Sequence, residues 1–182
     1  MARPPFGTRS RHPFARALLL AATLAAPAPA VAQAAPGELP EPVVTVTAGL
    51  GNAMGWFGAQ AERYFSHGRL SAFGGLGYTP RVDAFDPEGV TLAAGVRGYT
   101  AGLKHRGFAE ASLCQVGILS DPEHPSRFYG PCAQLGYQFA SRGGFTLMLS
   151  LGVGYAVGAL ADLHHRGQGL AGFGLGYTWR RK

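Results

Sequence analysis

The chain has 182 residues, of which 28 are glycine and only 14% are charged, and its formal net charge is +6 at pH 7. Four of the 16 basic side chains are arginines within the first 34 residues, and the other 12 face 10 acidic ones, so the charge gives no reason to expect a nucleic-acid partner. No apolar run approaches the roughly 20 residues of a membrane-spanning helix. The composition suits a one-domain β protein, either soluble or crossing a membrane with strands.

The first 34 residues have the organisation of a cleavable signal peptide. Four arginines, the last of them Arg16, precede an apolar run over 17–26. Small residues follow and end in Ala32-Gln33-Ala34, a small-x-small cleavage pattern. The apolar run of about ten residues is too short to cross a membrane as a helix. We therefore predict that the chain is exported and that residues 1–34 are removed.

Eight segments follow in which apolar side chains alternate with small or polar ones at the period of a β-strand. Each holds about nine to eleven residues, the length that a tilted strand needs to cross a bilayer. The predicted strands are Val43–Gly51, Trp56–Phe65, Leu70–Tyr78, Val90–Tyr99, Phe108–Ile118, Tyr129–Phe139, Phe145–Tyr155 and Leu170–Trp179.

The two faces of these segments have the polarity of a membrane barrel. The seventh segment places its large apolar side chains on one face: Phe145, Leu147, Leu149, Leu151, Val153 and Tyr155. Its other face is mostly small or polar, and the sixth and eighth segments repeat this division. A barrel that contacts lipid is apolar outside and polar inside, the reverse of a soluble barrel. We predict an all-β, eight-stranded antiparallel up-and-down transmembrane barrel over 43–179, after a signal peptide (1–34) and a short lead (35–42) and before a basic tail (180–182).

Aromatic side chains gather at the ends of the predicted strands. Trp and Tyr prefer the membrane interface, where the ring is partly buried and its polar atom stays hydrated. In the core of a soluble barrel they would lie in the middle of the strands. We therefore predict two girdles of membrane-interface aromatics: Trp56, Phe57, Phe65, Tyr78, Tyr99, Phe108, Tyr129, Tyr137, Phe139, Phe145, Tyr155, Tyr177 and Trp179.

The connections between strands alternate in length and in charge. With the N-terminus on the inner side, the outward connections are the longer ones, except for the first, as membrane barrels require. The inner turns and the tail are basic, through Arg69, Lys104, Arg106, Arg142, Arg180, Arg181 and Lys182. The outer loops are mainly acidic, through Asp83, Asp86, Glu88, Asp121, Glu123 and Asp162. The two rims of the barrel are thus expected to differ in sign.

With signal peptide, strands, girdles and Gly-Tyr strand ends such as Gly77-Tyr78 and Gly176-Tyr177, the chain resembles the small OmpA-like and OmpX-like outer-membrane β-barrel proteins. The resemblance covers most of the exported chain. It implies a bacterial outer membrane with both termini periplasmic, contact with outer-membrane lipid and lipopolysaccharide, and insertion by the outer-membrane assembly machinery. Eight strands leave an interior just wide enough to be filled by side chains, so a wide pore is not expected.

Four polar residues are predicted to share the lumen: Arg97, Glu110, Glu62 and Gln60. A turn centred between Leu103 and Lys104 would set Arg97 opposite Glu110. Because an unpaired buried charge is costly, the favoured interpretation is a paired polar network that fills the barrel. The alternative is a gated, narrow ion path.

The chain holds two cysteines, Cys114 and Cys132, both predicted to point inward from adjacent strands. If their hairpin centres on Glu123, the two are directly opposed, within reach of a disulfide. The export compartment is oxidising, which favours the bond. A shared metal ion is the poorer interpretation, since no histidine is placed to complete its ligands.

Two histidine motifs invite comparison with known chemistry. His124-Pro125-Ser126 partly matches the His-x-Ser of lipid A deacylases, but the acid expected about twelve residues further on is replaced by Gln138. His164-His165 lacks a third metal ligand. We predict no catalytic residue, no metal and no cofactor. The favoured function is a non-enzymatic envelope protein with a structural, ligand-binding or adhesive role; alternatives are a lipid A deacylase-type enzyme, a narrow ion-conducting barrel or a secreted lipocalin-type barrel.

Overall fold

The computed structural model of the chain describes residues 39–51, 54–81, 88–119, 126–157 and 167–181. These residues form eight strands: β1 (Pro42–Gly51), β2 (Gly55–Phe65), β3 (Leu70–Thr79), β4 (Gly89–Tyr99), β5 (His105–Leu119), β6 (Ser126–Ala140), β7 (Phe145–Tyr155) and β8 (Gly167–Arg180). A 3-10 turn, Ser66–Gly68, joins β2 to β3. The predicted signal peptide lies outside the described residues.

The strands close into an antiparallel barrel. Each pairs with its neighbours in sequence, and β1 pairs with β8, which confirms the predicted eight-stranded up-and-down fold. Strands β5 and β6, with 15 residues each, are longer than predicted. Their extra residues include Arg106 and Arg127, which interrupt the apolar alternation but still pair in register, with Gln138 and Ile118. The sequence pattern had ended both strands before these charged residues.

The barrel is polar inside and apolar outside. Its buried inward-facing side chains are mostly polar, among them Thr45, Thr47, Gln60, Glu62, Ser71, Thr91, Arg97, Glu110, Gln134, Gln138, Thr146 and Thr178. Its exposed outward side chains are mostly large and apolar, among them Val46, Leu76, Leu92, Val96, Leu113, Leu135, Leu151, Val153 and Leu175. In the part of the chain that the structure describes, no helix has the length and apolar character needed to cross a membrane.

The barrel has two rims, which we name by what lies at each. The terminal rim holds the start of β1, the end of β8 and the turns after β2, β4 and β6. The loop rim holds the connections after β1, β3, β5 and β7. At the terminal rim the turn after β2 is tight, because Ser66 (φ 48°) and His67 (φ 57°) both adopt the left-handed conformation.

Two predicted interface aromatics are wrong: Tyr99 and Phe108 are buried inside the barrel. Side chains alternate along a strand, so Tyr99 shares the inner face with Arg97, two residues away, and Phe108 shares it with Glu110. Nearness to a strand end does not decide which face a ring occupies. The other eleven predicted girdle residues are exposed or half-buried. Trp56 among them lines a cavity at the mouth of the barrel, and the place of the remaining ten at a membrane interface stays a prediction.

Met54, which precedes β2, lies inside the barrel at the loop rim. Met54 is almost fully buried, and its backbone N–H donates to the carbonyl of Gly51 at 2.7 Å. The Met54 carbonyl lies against the paired inward glycines Gly58 and Gly77, where added Cβ atoms would stand only 2.3 and 1.8 Å from it. The absence of side chains at these two glycines therefore leaves the space that the Met54 backbone occupies inside the barrel.

We expect Gly77→Ala to destabilise the fold by about 1–3 kcal/mol, because the new methyl group overlaps the Met54 carbonyl. The matched control is Gly74→Ala in the same strand, whose Cβ would meet nothing within 4 Å. Urea unfolding of the two variants and the original chain measures the difference. Equal loss of stability in both variants would contradict the packing role of Gly77.

Candidate functional site

The four predicted lumen residues meet around one guanidinium group. Arg97 donates from Nε to Glu110 at 2.8 Å, from Nη1 to Glu62 at 2.9 Å and from Nη2 to Gln60 at 3.1 Å. Its Nη2 also lies 2.7 Å from Glu110. The side chains of Arg97, Glu62 and Glu110 are at most 2% exposed. We call these four residues the Arg97 cluster.

Further hydrogen bonds satisfy both carboxylates. Ser71 and Tyr99 each donate to Glu62. Glu110 accepts from Ser112 at 2.8 Å and from Gln134 at 3.1 Å. Such bonds supply partners for the carboxylate oxygen atoms beyond those that the ion pair provides.

The bonded network extends across most of the lumen. Ser150 on β7 donates to Gln134 on β6 at 2.9 Å, so contacts run from β2 to β7. The Phe73 ring on β3 lies 4.1 Å from the Arg97 guanidinium carbon. Sequence reasoning had left out these partners, although each lies on the inner face by the same alternation as Arg97. The Arg97 cluster and its partners fill the barrel at this level.

A second cation, Arg106, lies nearer the terminal rim. Its guanidinium carbon stands 3.9 Å from the centre of the Tyr99 ring and 4.6 Å from that of Tyr64. Arg106 donates to Gln138 at 2.9 Å and to the Gly68 carbonyl at 3.1 Å. The sequence placed Arg106 in a turn, which is wrong: it belongs to β5 and its side chain is buried in the barrel.

The charges inside the described barrel balance. Two arginines and two glutamates are buried there: Arg97, Arg106, Glu62 and Glu110. Each carboxylate is hydrogen-bonded to Arg97 and to neutral donors, and the bonds join β2, β4 and β5 inside the barrel.

Cys114 and Cys132 form a disulfide, with Cα atoms 6.3 Å apart, so the predicted bond is confirmed. The expected direct opposition is wrong, because Cys114 pairs with Gly130 and Cys132 with Ser112. The cysteines are therefore diagonal neighbours. A β-bulge between Gln115 and Gly117 contributes to this shift in register. The alternation of apolar residues in the sequence had not predicted the bulge.

Apolar residues surround the disulfide on the loop-rim side of the Arg97 cluster. The buried group comprises Phe73, Ala93, Cys114, Val116, Phe128, Cys132, Ala156 and Leu170. The lumen is thus layered, with a charged layer beneath an apolar one. Nearer the loop rim, buried polar side chains recur at Thr79, Thr91 and Gln115.

The two histidine motifs stay untested. His124, Pro125, His164 and His165 lie outside the described residues, and Ser126 begins β6 without a described side chain. Among the residues that the structure does describe, no group of three or more His, Cys, Asp or Glu side chains is placed to hold a metal ion.

Replacing Arg97 with methionine is expected to lower stability by about 3–5 kcal/mol, since Glu62 and Glu110 would remain buried without their cation. Urea unfolding followed by tryptophan fluorescence measures the loss. A triple variant that adds Glu62→Gln and Glu110→Gln removes the stranded charges and should recover most of it. An Arg97→Met protein as stable as the original would show that the cluster does not hold the fold.

Removing the cross-link by Cys114→Ala with Cys132→Ala should cost about 3 kcal/mol, from the entropy of the unfolded loop that the bond closes. Equilibrium unfolding with and without reductant provides the measurement. Reductant should weaken the original chain and leave the double variant unchanged. Two reactive thiols in the unreduced, denatured original chain would refute the bond.

Comparison with known proteins gives one result at the level of fold. No protein-family model matches the chain, and no curated protein sequence matches it. Among solved structures, the chain is similar to the N-terminal β-barrel domain of Pseudomonas aeruginosa OprF, with 14% sequence identity and a TM-score of 0.54. The match covers 77% of this chain and 99% of that domain. The chain therefore has the fold of a small OmpA-like β-barrel, as the sequence resemblance had predicted.

Proposed function

We propose that this protein is an integral barrel of a bacterial outer membrane that serves as a non-enzymatic anchor for its loop rim. The observation that carries the proposal is the outer surface of the barrel. Leucines and valines cover it at high exposure, as with Leu135 at 70%, Leu151 at 69% and Leu113 at 65%. Contiguous apolar surface of this extent is a liability in water and suits lipid.

The contents of the lumen support an anchor rather than a porin. The Arg97 cluster joins β2, β4 and β5 through buried hydrogen bonds, and Arg106 with its aromatic neighbours fills the space toward the terminal rim. Moving a wide solute through would require breaking these paired charges in a low-dielectric interior, which is costly. The barrel then acts by holding its loop rim in place.

The orientation of the barrel in the membrane is inferred from its strand ends and the lengths of its turns. The start of β1 and the end of β8 lie at the terminal rim, and the turns there are short. In outer-membrane barrels the short turns are periplasmic and the longer loops extracellular. We therefore place the terminal rim in the periplasm and the loop rim outside the cell, with outer-membrane lipid and lipopolysaccharide as neighbours of the barrel and the assembly machinery as its route of insertion.

A charged substitution on the outer face, halfway along a strand, distinguishes a membrane barrel from a soluble one. Leu151→Arg should cost about 2–4 kcal/mol in a bilayer, because Leu151 lies near the middle of β7 and faces outward. The matched control is Val157→Arg, which is similarly exposed at 62% but lies at the loop rim, where about 0–1 kcal/mol is expected. Unfolding from phospholipid vesicles measures both. Equal, negligible costs would contradict a membrane-spanning barrel.

A further inference from the structure

The mouth of the barrel at the loop rim contains a cavity of about 380 Å³. It is lined by the ends of the neighbouring strands β8, β1, β2 and β3, and by β5 from across the barrel. The lining residues that carry the argument are Trp56, Thr79, Gln115, Val116, Ile118 and Gln168. We call this the mouth cavity. Its volume lies in the range of small-molecule sites.

The lining combines one aromatic surface with neutral polar groups. Trp56 supplies an indole that is 52% exposed. Gln115 and Gln168 supply side-chain amides, each with both a donor and an acceptor. Among the described residues that line the cavity, none carries a charge. A charged ligand would therefore lose water without gaining a counter-charge.

One wall of the mouth cavity holds an unsatisfied polar group. Thr79 lines the cavity and is only 2% exposed, and in the described part of the chain its hydroxyl has no hydrogen-bond partner. Buried hydroxyl groups are normally paired, and either an ordered water or a ligand hydroxyl in the cavity would supply the missing partner.

We propose that the mouth cavity is a binding site for a neutral carbohydrate. A sugar ring has an apolar C–H face that packs on an indole, and its hydroxyl groups both donate and accept, as side-chain amides do. Trp56 supplies the stacking surface. Gln168 and Gln115 supply the hydrogen-bonding edge, while Val116 and Ile118 pack against the apolar parts of the ring.

The framework around the mouth cavity holds its two sides in place. Cys114 immediately precedes Gln115, so the disulfide to β6 fixes the strand that forms one wall. The Gln168 side chain lies against Gly117, where an added Cβ would stand 2.6 Å from its amide nitrogen. Strands β5 and β8 therefore meet across the mouth, and Gly117 leaves the space for that contact. A site held in this way loses little freedom when a ligand binds.

The proposal goes beyond the anchoring role and does not require it, since the cavity is built from the barrel alone. The two tryptophans of the chain make it testable: Trp56 lines the mouth cavity and Trp179 lies in β8 beside the terminal rim. A Trp179→Phe variant leaves Trp56 as the single fluorophore. The folded protein is held in a detergent without a sugar headgroup, so that the detergent does not compete.

The variant is titrated with glucose, galactose, N-acetylglucosamine, maltose and lactose, each to tens of millimolar. At least one should produce a saturable change in Trp56 emission. Adding Gln168→Leu, at an exposed position, should weaken that affinity about tenfold by removing the amide. Gln168→Ala serves if the leucine variant does not fold. Fluorescence from a Trp56→Phe variant, which keeps Trp179, should not respond.

Absence of a saturable change with all five sugars would overturn the proposal, as would an affinity untouched by the Gln168 substitutions. Glucose 6-phosphate provides a charged counterpart and should bind more weakly than glucose; tighter binding would also contradict a neutral site. Folding of each variant is checked by its heat-dependent mobility on a gel. Failure here leaves the Leu151 result intact, so the carbohydrate site and the membrane anchor are judged separately.

Discussion

One arginine organises the interior of this barrel. Arg97 on β4 bonds to Glu62 on β2 and to Glu110 on β5, and so ties together strands that are not all adjacent. At this level the interior is filled mainly by polar side chains, so apolar packing contributes little to joining the strands there. Buried ion pairs and hydrogen bonds take its place, and they stabilise the fold because each carboxylate is bonded to several donors.

The lumen is filled in layers along the barrel axis. Paired charges occupy the middle, Arg106 and two tyrosine rings occupy the terminal-rim side, and the disulfide with its apolar neighbours occupies the loop-rim side. Each layer closes the cross-section by a different interaction. The mouth cavity lies above the last layer, where strands from opposite walls end and the lumen opens.

Much of this could be predicted from the sequence because strand alternation has a period of two. That period, with a turn centred between Leu103 and Lys104, predicted the pairing of Arg97 with Glu110, which the register shows. Tyr99 and Phe108 were misplaced because their positions at strand ends were given more weight than the alternation. The cysteine register was missed partly because a bulge adds a residue without changing the apolar pattern, and partly because the hairpin is not centred on Glu123.

Other features depend on contacts that no local pattern encodes. The inward fold of the turn at Met54 requires Gly58 and Gly77 to be paired on neighbouring strands, and sequence gave no reason to single out those glycines among 28. The mouth cavity brings Trp56 and Gln168 together from strands at the beginning and the end of the barrel. Only the closure of β1 on β8 makes them neighbours.

The burial of the disulfide bears on whether the bond forms before or after the barrel closes. Cys114 is fully buried and Cys132 is 5% exposed in the closed barrel, so an oxidant has almost no access to either sulfur once β1 has met β8. An oxidant reaches both sulfur atoms more readily while the β5–β6 hairpin is still open to solvent. We therefore expect the hairpin to be cross-linked before β1 meets β8.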